Sequence, residues 1–305
     1  MIDVSKNFTT YLYLYGALPQ QAVTGIVRGS CIPEELENLD KIQNGWRKAI
    51  DLFRQIEMSE QGLADNNQPF ELEMNSKLNQ IQNDPLFKNS FSIYPSDFKM
   101  VEIDRLVAPQ RRVSLDYIDI LTKRLSDNPS LDELIDFCIS PKQDVPIPSD
   151  YQVAENMFSF SSPSVDFRYL GGFLKRSLSE EDLKYCLNGG LPVGAILLFY
   201  GYGAGSLNVL KVNNRLILNN GFHRVYTLRK KGIKKIPVVV QNIGNHSLEM
   251  APSILGLSQD YLLKHPRPVL VKDFFVDGLT TALRQKDTVR SVRIQWIPDQ
   301  ADMPV

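Results

Sequence analysis

Asn219-Asn220-Gly221-Phe222-His223-Arg224 gathers two amides, a glycine, an imidazole and a guanidinium within six residues, a set suited to holding an anion. A glycine after two asparagines can take the positive φ that swings a strand into a helix without a Cβ clash. The first turn of that helix leaves backbone N–H groups unpartnered at the positive end of the macrodipole, which favours phosphate or carboxylate. Arg224 supplies a planar, permanently charged fork, and Thr227 a hydroxyl one turn on. His223 can donate a hydrogen bond or take up a proton near neutral pH, or serve as a structural histidine bonded to a loop carbonyl. Upstream, Glu102 and Asp104 alternate onto one face of a predicted strand, where a carboxylate could hold magnesium or act as a base. Arg111 and Arg112 follow in a basic loop.

These residues need a scaffold. The spacing predicts strand 215–218, a helix opened by His223-Arg224 and closed by Gly232, and a buried strand over 236–240, where Ile-Pro-Val-Val-Val is too apolar and β-branched for exposure. Val225, Leu228 and Ile233 give that helix an apolar side. Asn213-Asn214 predicts a two-residue hairpin joining 207–212 to 215–218. Ser114 caps a helix through Leu125, and Ser130 with Glu133 forms a capping-box pattern for a second helix ending near Ile139.

Around this core, residues 1–95 read as a separate helical or mixed region. Within it Leu36, Leu39, Ile42, Trp46, Ile50, Phe53 and Ile56 predict one helix of about six turns from Pro33. Residues 62–89, rich in Asn, Gln and Asp, read as surface linker with room for a short helix around 77–82. An insertion over about 152–205 carries strands at 153–160 and 165–174, a helix over 179–187 stopped by Asn188-Gly189-Gly190, and a buried strand at 193–200. Residues 246–305 form a C-terminal extension packed on the core, with a helix near 258–264 and strands at 268–275 and 289–296.

Composition excludes several classes. With 43% hydrophobic and 23% charged residues and a formal charge of −1, the 305-residue chain is an ordinary globular protein and no polycation, so contact with nucleic acid must be local. Arg224, Arg229, Lys230, Lys231, Lys234 and Lys235 could meet nucleic-acid phosphates, but cations late in a helix also complement its dipole. No apolar run approaches the roughly 20 residues of a membrane span, and three dispersed cysteines fit a reducing cytoplasm better than a disulfide scaffold. His246 and His265 lack ligand partners at zinc spacing, so no metal ligands are assigned. Gly201-Tyr-Gly-Ala-Gly-Ser206 precedes a strand, not a helix, and reads as a hairpin tip or ligand-covering loop.

The turn Asn220-Gly221-Phe222-His223-Arg224, the strand Ile236-Pro237-Val238-Val239-Val240 and the segment Met100 to Arg112 resemble the ParB/sulfiredoxin superfamily over residues 98–128 and 206–242. The resemblance implies an α/β (α+β) mixed-sheet core, here with a large insertion and a helical N-terminal region, over residues 96–245. It implies a nucleotide site in which Asn220, Gly221, His223, Arg224 and Thr227, with Arg111 or Arg112 across the cleft, bind ATP or CTP with magnesium. His223, Glu102 and Asp104 become the catalytic candidates for a nucleoside triphosphatase or phosphotransferase. Sulfiredoxins carry their essential cysteine where this chain has Phe222, which removes that chemistry, and no helix-turn-helix follows the core. The alternative is a non-catalytic binding module that meets a protein through the N-terminal helix or the insertion, or nucleic acid through the basic helix.

Overall fold

Serine side chains open several of the helices. Ser114 Oγ accepts from Tyr117 N–H, Ser130 Oγ from Glu133 N–H and Ser258 Oγ from Tyr261 N–H, each satisfying a donor that a first turn leaves unpaired. The structure, a computed structural model, describes residues 7–141, 145–164, 166–186, 190–244 and 257–302. Its elements begin with β1 (Phe8–Tyr13), α1 (Gln20–Ser30), α2 (Pro33–Glu37), α3 (Leu39–Ser59), β2 (Phe70–Glu71), α4 (Ser76–Asn83) and α5 (Pro85–Ser90). Next come β3 (Ser96–Glu102), β4 (Arg112–Ser114), α6 (Leu115–Lys123), α7 (Leu131–Ile139), β5 (Ser149–Ala154), β6 (Met157–Ser162), β7 (Arg168–Lys175), α8 (Glu180–Leu183) and β8 (Ala195–Gly201). The chain continues through β9 (Asn208–Val212), β10 (Arg215–Asn220), α9 (Phe222–Lys230), β11 (Lys235–Asn242), α10 (Gln259–Lys264), β12 (Thr281–Lys286) and β13 (Arg290–Gln295). The class is α+β, with several small sheets.

The chain divides into a larger unit, Met1–Gln143 with Ala204–Asp287, and a smaller one, Asp144–Gly203 with Thr288–Val305. The larger unit is built on a five-stranded sheet ordered β10-β9-β11-β3-β2. β9 and β10 form the hairpin expected from Asn213-Asn214, with Val212 opposite Arg215 and Asn213 at φ 53°. β11 runs parallel to β9 and antiparallel to β3. Its Pro237 falls before the stretch from Val239 to Asn242 that pairs with β9, so the missing N–H interrupts no bond there. Val238 and Ile236 of β11, Val101 of β3, Ile118 of α6, Ile135 of α7 and Val225 and Leu228 of α9 are wholly buried in one core. A second sheet, β12-β1-β4, brings the start and the end of this unit together.

The smaller unit holds an antiparallel sheet ordered β13-β6-β5 and a two-stranded ribbon of β7 and β8. Phe160 of β6 stacks on Tyr200 of β8 with ring centroids 3.7 Å apart. Further along the ribbon Leu170, Phe173, Leu174, Ile196 and Phe199 are exposed.

Several expectations are corrected here. Residues 7–95 are not separate, because β1 lies between β12 and β4 inside the larger unit. The long helix from Pro33 is broken at Asn38, whose side chain donates to Glu34 O at 3.0 Å, a local competition that disfavours continued helix. The stretch 62–89 forms the expected short helix as α4, but it is no surface linker: it also contains α5 and buries Leu72, Leu78, Ile81 and Phe87. Its polar residues are largely caps: Asn75 Oδ1 accepts from Leu78 N–H and Asp84 Oδ1 from Leu86 N–H. The strand expected over 153–160 straddles the β5–β6 turn, and the helix over 179–187 is only the short α8. The buried strand at 193–200 is β8, exposed because it pairs with β7 alone. The strand at 268–275 is a 3-10 turn, Val271–Phe275, held by Asp273 accepting from Leu270 N–H. The extension is shared, residues up to Asp287 completing the larger unit and those from Thr288 the smaller. The helix stop at Asn188-Gly189, His246 and the 245/246 boundary lie outside the described residues.

Candidate anion-binding site

Gly221 caps α9 at φ 96°, ψ 23°, in the left-handed region that a Cβ penalises. A Cβ there would also lie 2.7 Å from Leu207 Cγ and 3.1 Å from Arg224 Nη2, so both the conformation and the packing demand glycine. Among the described residues no side chain caps the first turn of α9, whereas α6 and α7 are capped by serine. The turn itself is braced from behind. Asn220 Nδ2 donates to Ala204 O at 2.6 Å, and Asn219 Nδ2 and Gln241 Nε2 both donate to Asn208 Oδ1, at 2.8 and 2.9 Å. Asn220 therefore organises the loop through its amide hydrogens.

His223 Nε2 accepts from Ser114 N–H at 3.0 Å, which places the ring proton on Nδ1. The edge of this partly buried ring meets Tyr117, centroids 5.3 Å apart. Burial first, then the positive charges of Arg112 and Arg224, push its pKa down to about 4, so at neutral pH it is an uncharged ring. The unfolded histidine titrates near 6.5. Between pH 6.5 and 4 the unfolded chain therefore binds more protons, and stability present above that window is lost as pH falls through it. His223→Gln keeps an acceptor for Ser114 N–H without the titration, so its urea midpoint should fall less between pH 7 and pH 5 than that of the wild type. An equal fall in both proteins would refute this account of His223.

Arg224 Nη1 donates to Phe137 O and Cys138 O at 3.2 and 3.1 Å, the last-turn carbonyls of α7, which attract a cation. Burial lowers the pKa of its guanidinium, though a guanidinium stays charged throughout the ordinary range. Arg112 Nη1 donates to Tyr13 Oη at 2.8 Å and to Gln285 Oε1, and the guanidinium lies 4.1 Å above the Tyr11 ring. Among the described residues no carboxylate lies within ion-pair distance of Arg112 or Arg224. Of the two arginines in the basic loop, Arg112 is the one whose charge acts on His223. Arg111 instead borders a small crevice with Leu14, Leu18, Leu257 and Val269, and burial lowers its pKa.

The remaining candidates lie elsewhere. Thr227 is wholly buried, and its hydroxyl donates back to His223 O at 2.8 Å, a bond within the helix. Asp104 Oδ1 pairs with Arg229 Nε at 2.6 Å, and Glu102 Oε2 with Arg105 Nε at 3.1 Å. Arg229 is in the last turn of α9, and Glu102 sits opposite Lys235, the first residue of β11. Both carboxylates thus lie about 13 Å away along α9, at the end opposite Gly221. The strand direction explains it: β3 runs antiparallel to β11, so it ends where α9 ends. Among the described residues no three His, Cys, Asp or Glu side chains gather as a metal site would require.

The basic end of α9 is largely partnered. Lys230 faces Asp119 at 3.6 Å, Lys231 Asp127 at 3.0 Å, and Lys235 lies 3.7 Å above the Phe70 ring. Ser114, Tyr117, Tyr11, Tyr13 and Gln285 were not foreseen at the site. The alternation Tyr11-Leu12-Tyr13-Leu14-Tyr15 is a strand signal that would have brought β1 into view; nothing in the local sequence marks Gln285. Among the described residues no helix is long and apolar enough to cross a membrane. Searches against protein-family models, curated proteins and solved structures return no match to this chain.

Proposed function

We propose that the larger unit is a ParB/sulfiredoxin-like nucleotide-binding domain that holds the phosphates of a nucleoside triphosphate, ATP or CTP with its magnesium, at the first turn of α9. One observation carries the reading: the guanidinium groups of Arg112 and Arg224, neither paired with a carboxylate, both act on His223 beside an uncapped helix start. Unpaired positive charge next to free backbone N–H groups favours a polyanion. The neutral His223 can donate from Nδ1 without bringing a proton into play. The strand, αL glycine, helix and strand succession from β10 to β11 supports the superfamily resemblance.

Titration calorimetry of ATP, CTP and GTP with magnesium into the wild type and Arg224→Ala tests it. One nucleotide should bind the wild type, and Arg224→Ala should weaken it at least tenfold, in line with about 1.5–3 kcal/mol for a charged hydrogen bond. A folded wild-type protein that binds none of the three would refute the reading.

Binding without turnover is favoured over hydrolysis or phosphoryl transfer by the distance of Glu102 and Asp104 from the turn, which takes both carboxylates expected to serve as bases away from the phosphates. A protein partner, on this reading, meets the insertion and not the N-terminal helix. α3 spends Ile42, Ala49 and Phe53 on its own unit, and Trp46 Nε1 donates to Leu18 O at 2.8 Å, whereas the β7–β8 ribbon keeps Phe173, Ile196 and Phe199 exposed.

A further inference from the structure

We infer that Tyr13 and Gln285, two buried polar residues from opposite ends of the larger unit, are positioning residues that hold the Arg112 guanidinium for an anion at the α9 turn; the inference rests on the function proposed above.

Arg112 belongs to the three-residue strand β4, an edge strand that pairs only with β1. A short edge strand gives a long side chain little to lean on, and an arginine loses roughly 2 kcal/mol of rotamer entropy when fixed. Here the fixing is done by three contacts. Tyr13 lies directly opposite Arg112 in the β1–β4 register and accepts through its hydroxyl. Tyr11 underlies the guanidinium plane. Gln285 reaches from β12, the strand on the far side of β1, and accepts through Oε1 from the same Nη1 that Tyr13 engages. Tyr13 and Gln285 are 4% and 3% exposed.

The chemistry of the two acceptors matters more than their burial. Both are neutral, so they orient the guanidinium without cancelling its charge, whereas a carboxylate in either place would form a closed ion pair. The nearby ionic partnerships follow the other pattern: Glu35 Oε1 takes Arg284 Nε at 2.8 Å one residue along β12. The sheet thus gives Arg284 a carboxylate partner and Arg112 two neutral acceptors. Ser114, two residues on, donates its N–H to His223, so the strand that carries Arg112 is also tied to the imidazole of the α9 turn.

The test uses the whole chain with three variants, Tyr13→Phe, Gln285→Met and Gln285→Glu, and two readouts. The first is the affinity for inorganic triphosphate, a probe free of any base; the second is the titration of the His223 ring by NMR, which senses where the Arg112 charge lies. Tyr13→Phe and Gln285→Met should weaken triphosphate about fivefold and move the His223 titration up toward its ordinary value. Gln285→Glu, nearly isosteric, should weaken it more than Gln285→Met, because its carboxylate competes for Arg112. If folded variants bind triphosphate as the wild type does with His223 unmoved, the positioning role is overturned. It is also overturned if the losses follow thermal midpoints and Gln285→Glu is no worse than Gln285→Met. A wild-type protein that ignores triphosphate while the variants still move the His223 titration would leave Arg112 held as described and remove the anion, which is failure of the function and not of the placement.

Discussion

Replacing Arg267 by alanine is expected to cost the larger unit about 3–5 kcal/mol, the range for removing one partner of a buried ion pair. Its side chain is wholly enclosed. The guanidinium grips Asp273 with two parallel bonds of 3.0 and 2.6 Å, reaches Glu60 at 2.8 Å and donates to Pro268 O at 2.7 Å. Lys272 Nζ meets the other Glu60 oxygen at 2.6 Å. Without the arginine, Asp273 stays buried with a charge answered only by Leu270 N–H. Urea unfolding followed by Trp46 in a Trp296→Phe background measures the loss. Arg267→Met combined with Asp273→Leu should recover a large part of it, since the cost comes from the orphaned charge. A loss below 1 kcal/mol for Arg267→Ala would show that solvent reaches the cluster.

Gly221→Val is expected to cost about 2–5 kcal/mol, combining a β-branched residue in the left-handed region with crowding of a filled space. Leu207 cannot retreat easily, because its N–H donates to Cys138 O at 2.6 Å and its carbonyl accepts from Val239 N–H at 3.1 Å. The same substitution should weaken nucleotide binding, because it re-aims the N–H groups of the first α9 turn and presses on Arg224. Denaturation midpoints and calorimetry on the same preparation read both effects. A fully stable Gly221→Val protein would mean that the turn relaxes at little cost.

The legible parts of this molecule were those governed by neighbours in sequence. Gly221 announced its αL turn, Asn213-Asn214 its hairpin, and Ser114, Ser130 and Ser258 their helices, because caps and turns are decided within a few residues. What escaped depended on distant partners. The run from Val193 to Tyr200 is apolar enough for a core strand, yet β8 is exposed because nothing in its own residues says that β7 alone will pair with it. Residues 62–89 looked like solvent-facing linker because their amides and carboxylates dominate the composition, although Asn75 and Asp84 are caps beside buried Leu78 and Phe87. At the candidate site, the turn itself singles out Gly221, His223 and Arg224. Choosing Arg112 over Arg111, excluding Asp104 and finding Gln285 required the strand registers.

The β12-β1-β4 sheet also sets a timetable. β1 is made long before β12, and Phe8 pairs with Lys286 and Tyr13 with Thr281, so one of its edges waits for a partner distant in sequence. Loop closure over such distances is slow, and in the meantime Tyr11, Leu12 and Tyr13 offer an unpaired strand to any neighbour. Gln285, which meets Arg112, lies on β12, the later-made strand of that pair. On the inference drawn above, closing the β1–β12 pair and orienting the Arg112 guanidinium are therefore one event, because the strand that completes the sheet also carries Gln285.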